Sequence, residues 1–405
     1  MYKLKGVFIV FLFMFFTSGC WDYYELNDMS IVTAIGIDLT ENGYLITLQV
    51  ANPSQIAGGE SGNGGDEAAT VTYEKEGRTI GEAIGNLMFQ TPRIPYLGHK
   101  QILLVGDEAA KDGFYNILDY FMAHTQTKKI FPVVIVRNGK ANDAIKILEP
   151  LEKNTALNIK GMLETTAINN SMISNRKLDE VLICLFTEGR HPSVSSIEIT
   201  NITEKGEKTE NISTSDPESM LIIRGSAVFI KDKVVGYLSD IDSLGHSIAR
   251  GTVNTINITF PCDDKENFGT AIISRVKGKH ETIIEKKEVK GKVNVKGDVA
   301  IVEYNCKLNI ENPENIKKVE KQINKEIENI VSNTIKTLQE DLKSDIVGFG
   351  EYIYRYMYKD WKKYKDNWDE VFSKMDIEPK SEVKITSVAS TKKVIKDVKN
   401  DGKEE

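Results

Sequence analysis

The chain contains a single long apolar run, and the shortness of that run decides what the rest can become. Residues 7–16 read VFIVFLFMFF with no polar side chain. Ten residues are about half of the roughly 20 that a helix needs to cross the hydrocarbon core. Lys3 and Lys5 precede the run, and Thr17, Ser18, Gly19 and Cys20 follow it. A positive start, a short apolar stretch and small residues at a cleavage point have the form of an export signal, not of an anchor helix. A cysteine directly after Ser18-Gly19 has the form of a bacterial lipobox, in which the thiol receives a diacylglycerol group. Thr17 departs from that form, since leucine is usual there. The expectation is a leader over residues 1–19, lipidation at Cys20, and a body folded in water outside the membrane. No later run approaches the length of a membrane-spanning segment.

The 405 residues suggest two or three domains. Formal net charge is −7, and more negative still once Lys3 and Lys5 leave with the leader. That disfavours nucleic acid, whose affinity rests on neutralised phosphates. It also disfavours attachment to anionic lipid by charge. Cys184, in VLICLF, reads as a buried small hydrophobe. Cys184, Cys262 and Cys306 are too widely spaced to form a disulfide framework, and a Cys262–Cys306 bridge stays open.

Residues 30–38 (SIVTAIGID) and 44–50 flank Glu41-Asn42-Gly43 and read as a hairpin. Residues 54–69 hold five glycines without phosphate-loop spacing and read as a flexible surface excursion. Thr79 with Glu82 suggests a capping box for a helix with Ile80, Ile84, Leu87 and Met88 inside, stopping near Thr91-Pro92. A strand over 101–106 leads to a helix capped by Asp107, with Ala110, Phe114, Ile117, Leu118 and Phe121 inside. Residues 131–136 form a strand, and Asn138-Gly139 turns into a helix carrying Ala144, Ile145 and Leu148. Residues 155–185 are helical in pattern, with Leu157, Met162, Leu163, Ile173, Leu178, Leu182 and Leu185 as core. Residues 20–197 thus form one or more N-terminal α/β domains. A polar linker over 198–218 follows.

The C-terminal domain, 219–390, opens with a hairpin around Lys231-Asp232-Lys233 and continues with four strand-like runs between 252 and 308. Asn312 caps and Pro313 starts a long amphipathic helix with the stripe Ile316, Val319, Ile323, Ile327, Ile330, Ile335, Leu338 and Leu342. Residues 350–372 are helical, 383–388 add a closing strand, and 391–405 form a charged tail. The fold class is α+β and multi-domain, with mixed sheets packed against helices.

Chemistry is sparse. None of the five histidines lies three or four residues from another, and no HExxH, CxxC or GxSxG occurs. No catalytic, cofactor or metal residue is assigned, and the chain reads as a non-enzyme. His99, in YLGH, stands out, although its plainer reading is an imidazole bonding local backbone. Tyr354, Tyr358, Trp361, Tyr364, Trp368 and Phe372 share a helical side. A core face is the preferred reading, ahead of a partner-binding patch.

These segments together resemble the Ger(x)C spore germination lipoproteins. The resemblance rests on CWDYYELNDMSIVTAIGID (20–38), EGRTIGEAIGNL (76–87), YLGHKQILLVGDEAAKDGFYNILDYF (96–121), GSAVFIKDKVVGYLS (225–239) and DIVGFGEYIYRYMYKDWKKYKDNWDEVF (345–372), in family order. HTQTKK (124–129) departs from the family's usual Arg-Asp-rich sequence. The resemblance implies the C subunit of a nutrient germinant receptor in the spore inner membrane, assembled with integral-membrane A and B subunits. It implies mixed α/β domains without known catalysis and lipid at Cys20. The other reading kept open is a lipid-anchored extracytoplasmic solute-binding module.

Overall fold

The computed structural model describes residues 25–52, 69–123, 129–169, 176–263, 266–286 and 288–388. The leader, Cys20, the glycine-rich excursion, Ile173 and the charged tail lie outside them.

The expected hairpin forms from β1 (Met29–Thr40) and β2 (Gly43–Ala51), with Gly43 at φ +140 in the turn. β3 (Thr70–Gly77) pairs with β2. Thr79 Oγ1 accepts the Glu82 N–H at 3.1 Å and caps α1 (Ile80–Leu87). The reciprocal half of the box is displaced by one residue, because Glu82 accepts the N–H of Arg78. Ile80, Ile84 and Leu87 face inward, but Met88 does not. β4 (Ile94–Tyr96) and β5 (Ile102–Gly106) both pair in parallel with β1. Asp107 is the first residue of α2 (Asp107–Asp112) rather than its cap. Its carboxylate is buried, pairs with Lys111 at 2.8 Å and accepts from the Tyr237 hydroxyl. Gly113, at φ +146, splits the expected helix, and α3 (Tyr115–Ala123) carries on its inner face. β6 (Val133–Val136), α4 (Ala141–Lys146), α5 (Thr155–Asn169), α6 (Leu178–Phe186) and β7 (Ser193–Ile199) follow. Leu157, expected in the core, is exposed on α5.

Of the expected linker 198–218, Glu198 and Ile199 end β7 and the rest leads to β8 (Leu221–Ile230), its antiparallel neighbour, while β9 (Lys233–Leu238) completes the second hairpin. The first sheet runs β3-β2-β1-β5-β6-β7-β8-β9, with β4 beside β1. Its centre is parallel and buried on both faces, as such strands require. One core lies beneath α1, α3 and α6, and another beneath α4 and α5. Asp38, at the end of β1, accepts the N–H groups of Ala141 and Asn142 at 2.7 and 2.8 Å and so holds the start of α4. Burial raises its carboxyl above the ordinary range.

After α7 (Asp240–Arg250) comes a second sheet, β10-β11-β12-β13, from Thr255–Pro261, Phe268–Glu285, Glu288–Tyr304 and Asp376–Val388. The four expected runs before the long helix are three strands, two of them very long. Arg275, at φ +53 in a bulge, breaks the alternation that marks a single strand. Cys262 and Cys306 are bonded across 44 residues. On the chain-entropy view such a loop closure contributes about 4 kcal/mol. α8 (Pro313–Lys336) is capped by Asn312, whose Oδ1 accepts the Glu314 N–H at 2.9 Å. Its stripe covers the sheet, and a π-turn over Thr337–Asp341 prolongs it. The aromatic segment is three short helices, α9 (Phe349–Tyr356), α10 (Tyr358–Tyr364) and α11 (Trp368–Ser373).

Candidate functional site at the junction of the two sheets

The loop after α6 and the loop before α9 lie against each other. Gly189, at φ +82, brings its backbone so close to Gly350 that a Cβ at position 189 would sit 2.3 Å from the Gly350 carbonyl carbon. The Glu351 N–H donates to the Gly189 carbonyl at 2.8 Å, and the His191 N–H donates to the Asp345 carbonyl at 2.9 Å. Only glycine tolerates both the positive φ and the contact.

Two buried carboxylates organise this clasp. Asp345 accepts the N–H groups of Gly348 at 2.7 Å and Gly350 at 2.9 Å, and the Trp368 indole N–H at 3.1 Å. Burial drives its pKa up, and these donors pull against that rise. Glu351 meets three guanidinium groups, those of Arg190 at 3.1 Å, Arg250 at 3.2 Å and Arg355. The Arg190 Nε–H is not aimed along the line to the oxygen, so that contact is one of charge. Arg250 also donates to the Val347 carbonyl at 2.7 Å. A carboxylate this buried is tolerable only because its partners supply charge.

His191 ties in a third element. Its Nδ1 accepts the Lys231 N–H at 3.1 Å, in the β8–β9 turn, which leaves the ring proton on Nε2. Nε2 then donates to Asp369 of α11 at 2.9 Å. The Trp361 indole N–H donates to Glu188. Beside the clasp opens a cleft of about 900 Å³. Its walls are α3, α6, the 187–192 loop, Lys231-Asp232 and the segment from Trp361 to Glu370.

The expected aromatic face divides here. Trp361, Trp368 and Phe372 are core, with Tyr354 and Tyr364 packed against them, whereas Tyr358 is 53% exposed. His99 is exposed, and it is its backbone carbonyl that is engaged, by the Gln101 side chain at 2.8 Å. Its neighbour Lys100 is the unusual group. Its ammonium is buried over the Phe131 ring at 4.2 Å, with the Leu97 carbonyl at 3.3 Å. Among the described residues, no cluster of three or more His, Cys, Asp or Glu could hold a metal ion. Arg190, Asp345 and Glu351 were not singled out by sequence reasoning. The glycine spacing in DIVGFGEY was the available signal.

Comparison with known proteins bears on the whole chain. Residues 22–199 match the spore germination protein N-terminal domain, and residues 224–389 match the spore germination B3/GerAC-like C-terminal domain. The chain belongs to the Ger(x)C spore germination family. Within it, Spore germination protein KC of Bacillus subtilis (strain 168) is 30% identical over 91% of each chain. Spore germination protein B3 of the same organism is 25% identical over 92% of this chain and 95% of its own. The crystal structure of the GerBC protein superposes with a TM-score of 0.56 at 19% identity, covering 87% of this chain and 96% of that one. The α+β, two-domain architecture with its long C-terminal helix is therefore the family fold, and the chain's role lies in spore germination.

Proposed function

We propose that this chain is the lipid-anchored C subunit of a nutrient germinant receptor, held by Cys20 at the extracytoplasmic face of the spore inner membrane. It works through protein contacts with integral-membrane A and B subunits rather than by catalysis. The observation that carries this reading is how the junction uses its polar groups. Glu351 and His191 are committed to charges and donors across the two sheets, and the Asp345 carboxylate holds the loop that meets them, which suits a body transmitting contacts between partners. The Cys262–Cys306 bond supports an oxidising compartment outside the cytoplasm. Confinement to the membrane plane raises effective concentration, so modest interfaces suffice.

Cys20→Ala is expected to release the protein from spore membranes and to blunt the germinant response. A normal response from fully released protein sinks the anchoring reading. Affinity capture from spore membranes is expected to bring down polytopic partners, and their absence sinks the receptor reading. The junction cleft favours a second reading, a solute-binding module. That reading requires a rise in melting temperature of the purified protein with a nutrient.

A further inference from the structure

Four large apolar side chains stand exposed between the end of α1 and the end of β4. Phe89 is 90% exposed, Met88 53%, Ile94 40% and Tyr96 38%. They are not on a loose loop. The turn after α1 is tied by the N–H of Met88 to Gly85, of Phe89 to Asn86 and of Gln90 to Leu87, at 3.2, 3.3 and 2.9 Å. The backbone thus holds the Phe89 ring out into solvent. β4 fixes Ile94 opposite Met29 and Tyr96 opposite Ile31. A hollow of about 520 Å³ is shared by Asn27, Asp28, Met88, Arg93 and Ile94. Met88 and Ile94 thus lie beside Asn27 and Asp28, close to where the described chain begins, with Phe89 and Tyr96 near them in sequence.

Four residues separate Cys20 from Glu25. Fully extended, that tether spans at most about 18 Å. We propose that Met88, Phe89, Ile94 and Tyr96 form a second membrane contact, seated in the interfacial layer of the bilayer when Cys20 carries lipid. The proposal rests on the anchoring reading above. A lipid tether alone leaves the body free to swivel. An apolar rim beside it fixes one orientation and so sets which surfaces face membrane-embedded partners. Arg93 lines the same hollow as Asp28, whose opposite formal charge balances it, so the contact is apolar rather than electrostatic and should resist salt.

The test uses the full lipidated chain in phosphatidylcholine vesicles. An environment-sensitive fluorophore is placed at Phe89→Cys or, as a control, at Val235→Cys. Val235 lies on β9, at the sheet edge five strands from β1. Flotation reads the tether, and quenching by brominated acyl chains reads the rim. Both proteins should float. The label at 89 should shift to the blue and be quenched at low and high salt, while the label at 235 should not. Phe89→Ser with Met88→Ser should abolish quenching of a label at Tyr96→Cys. Flotation without quenching at 89 overturns the membrane contact and spares the tether. Failure to float overturns both.

Discussion

Lys100 carries a charge for which its surroundings return little. It is 6% exposed, and burial lowers its pKa from 10.5 to about 8. The unfolded chain therefore holds this proton more tightly than the folded one. The penalty is complete below pH 8 and fades as pH rises toward 10.5, so this residue makes stability increase across that window. At pH 7 the shift corresponds to about 3 kcal/mol, before any compensation elsewhere. Lys100→Met keeps the apolar stem and removes the charge. It is expected to raise stability at pH 7 by about 1–3 kcal/mol and to flatten the gain between pH 8 and 10. Urea unfolding at pH 7 and 9.5 measures both. A variant less stable at pH 7 would mean that the ammonium over Phe131 is a net asset.

At the scale of the element, β13 is an edge strand whose outer backbone is taken up by side chains of α8. Glu320 accepts the Ile385 N–H at 2.9 Å, Asn324 the Val383 N–H at 2.8 Å, and Glu328 the Ser381 N–H at 2.9 Å. Asn324 also donates to the Val383 carbonyl at 3.2 Å. The fit is arithmetic. Four helical residues rise about 6 Å, and two strand residues advance about 6.6 Å. A short asparagine in the middle and longer glutamates at either end absorb the difference. The row closes an edge that could otherwise pair with another chain. Asn324→Leu strands one N–H and one carbonyl. It is expected to cost about 1–3 kcal/mol and to speed amide exchange at Val383 over that at Val299. Unchanged exchange at Val383 would refute the capping role.

What the sequence disclosed follows the range of each interaction. The Thr79 and Asn312 caps, the Lys231-Asp232 hairpin turn and the α8 stripe depend on neighbours a few residues away, and all are present. β11 and β12 were misread in number because a bulge at Arg275 and the glycines at 278, 291 and 297 look like punctuation from within the chain. Partners across the sheet make those positions continuous. The glycines of DIVGFGEY mark one side of the clasp, but its pairing is not legible within the chain, since Gly189 and Glu351 find each other only after both sheets exist.

At the scale of the molecule, β8 joins the halves. Ala227 and Phe229 enter the core beneath α1 and α3, while Val228 between them enters the core of the second sheet. The Phe229 carbonyl also accepts the Ser344 hydroxyl at 2.6 Å, just before the clasp. A strand whose alternate residues serve two cores cannot leave one without leaving the other. Phe229→Ala opens a cavity only in the first core and is expected to cost about 3–5 kcal/mol. Trp361 and Trp368, buried in the second core, report that core by fluorescence, and amide exchange at β1 and β5 reports the first. If β8 couples the halves, both readouts fall together by the same free energy. A loss confined to β1 and β5, with the tryptophan transition unmoved, would show that the halves unfold independently. The clasp would then be a docking contact between separable bodies.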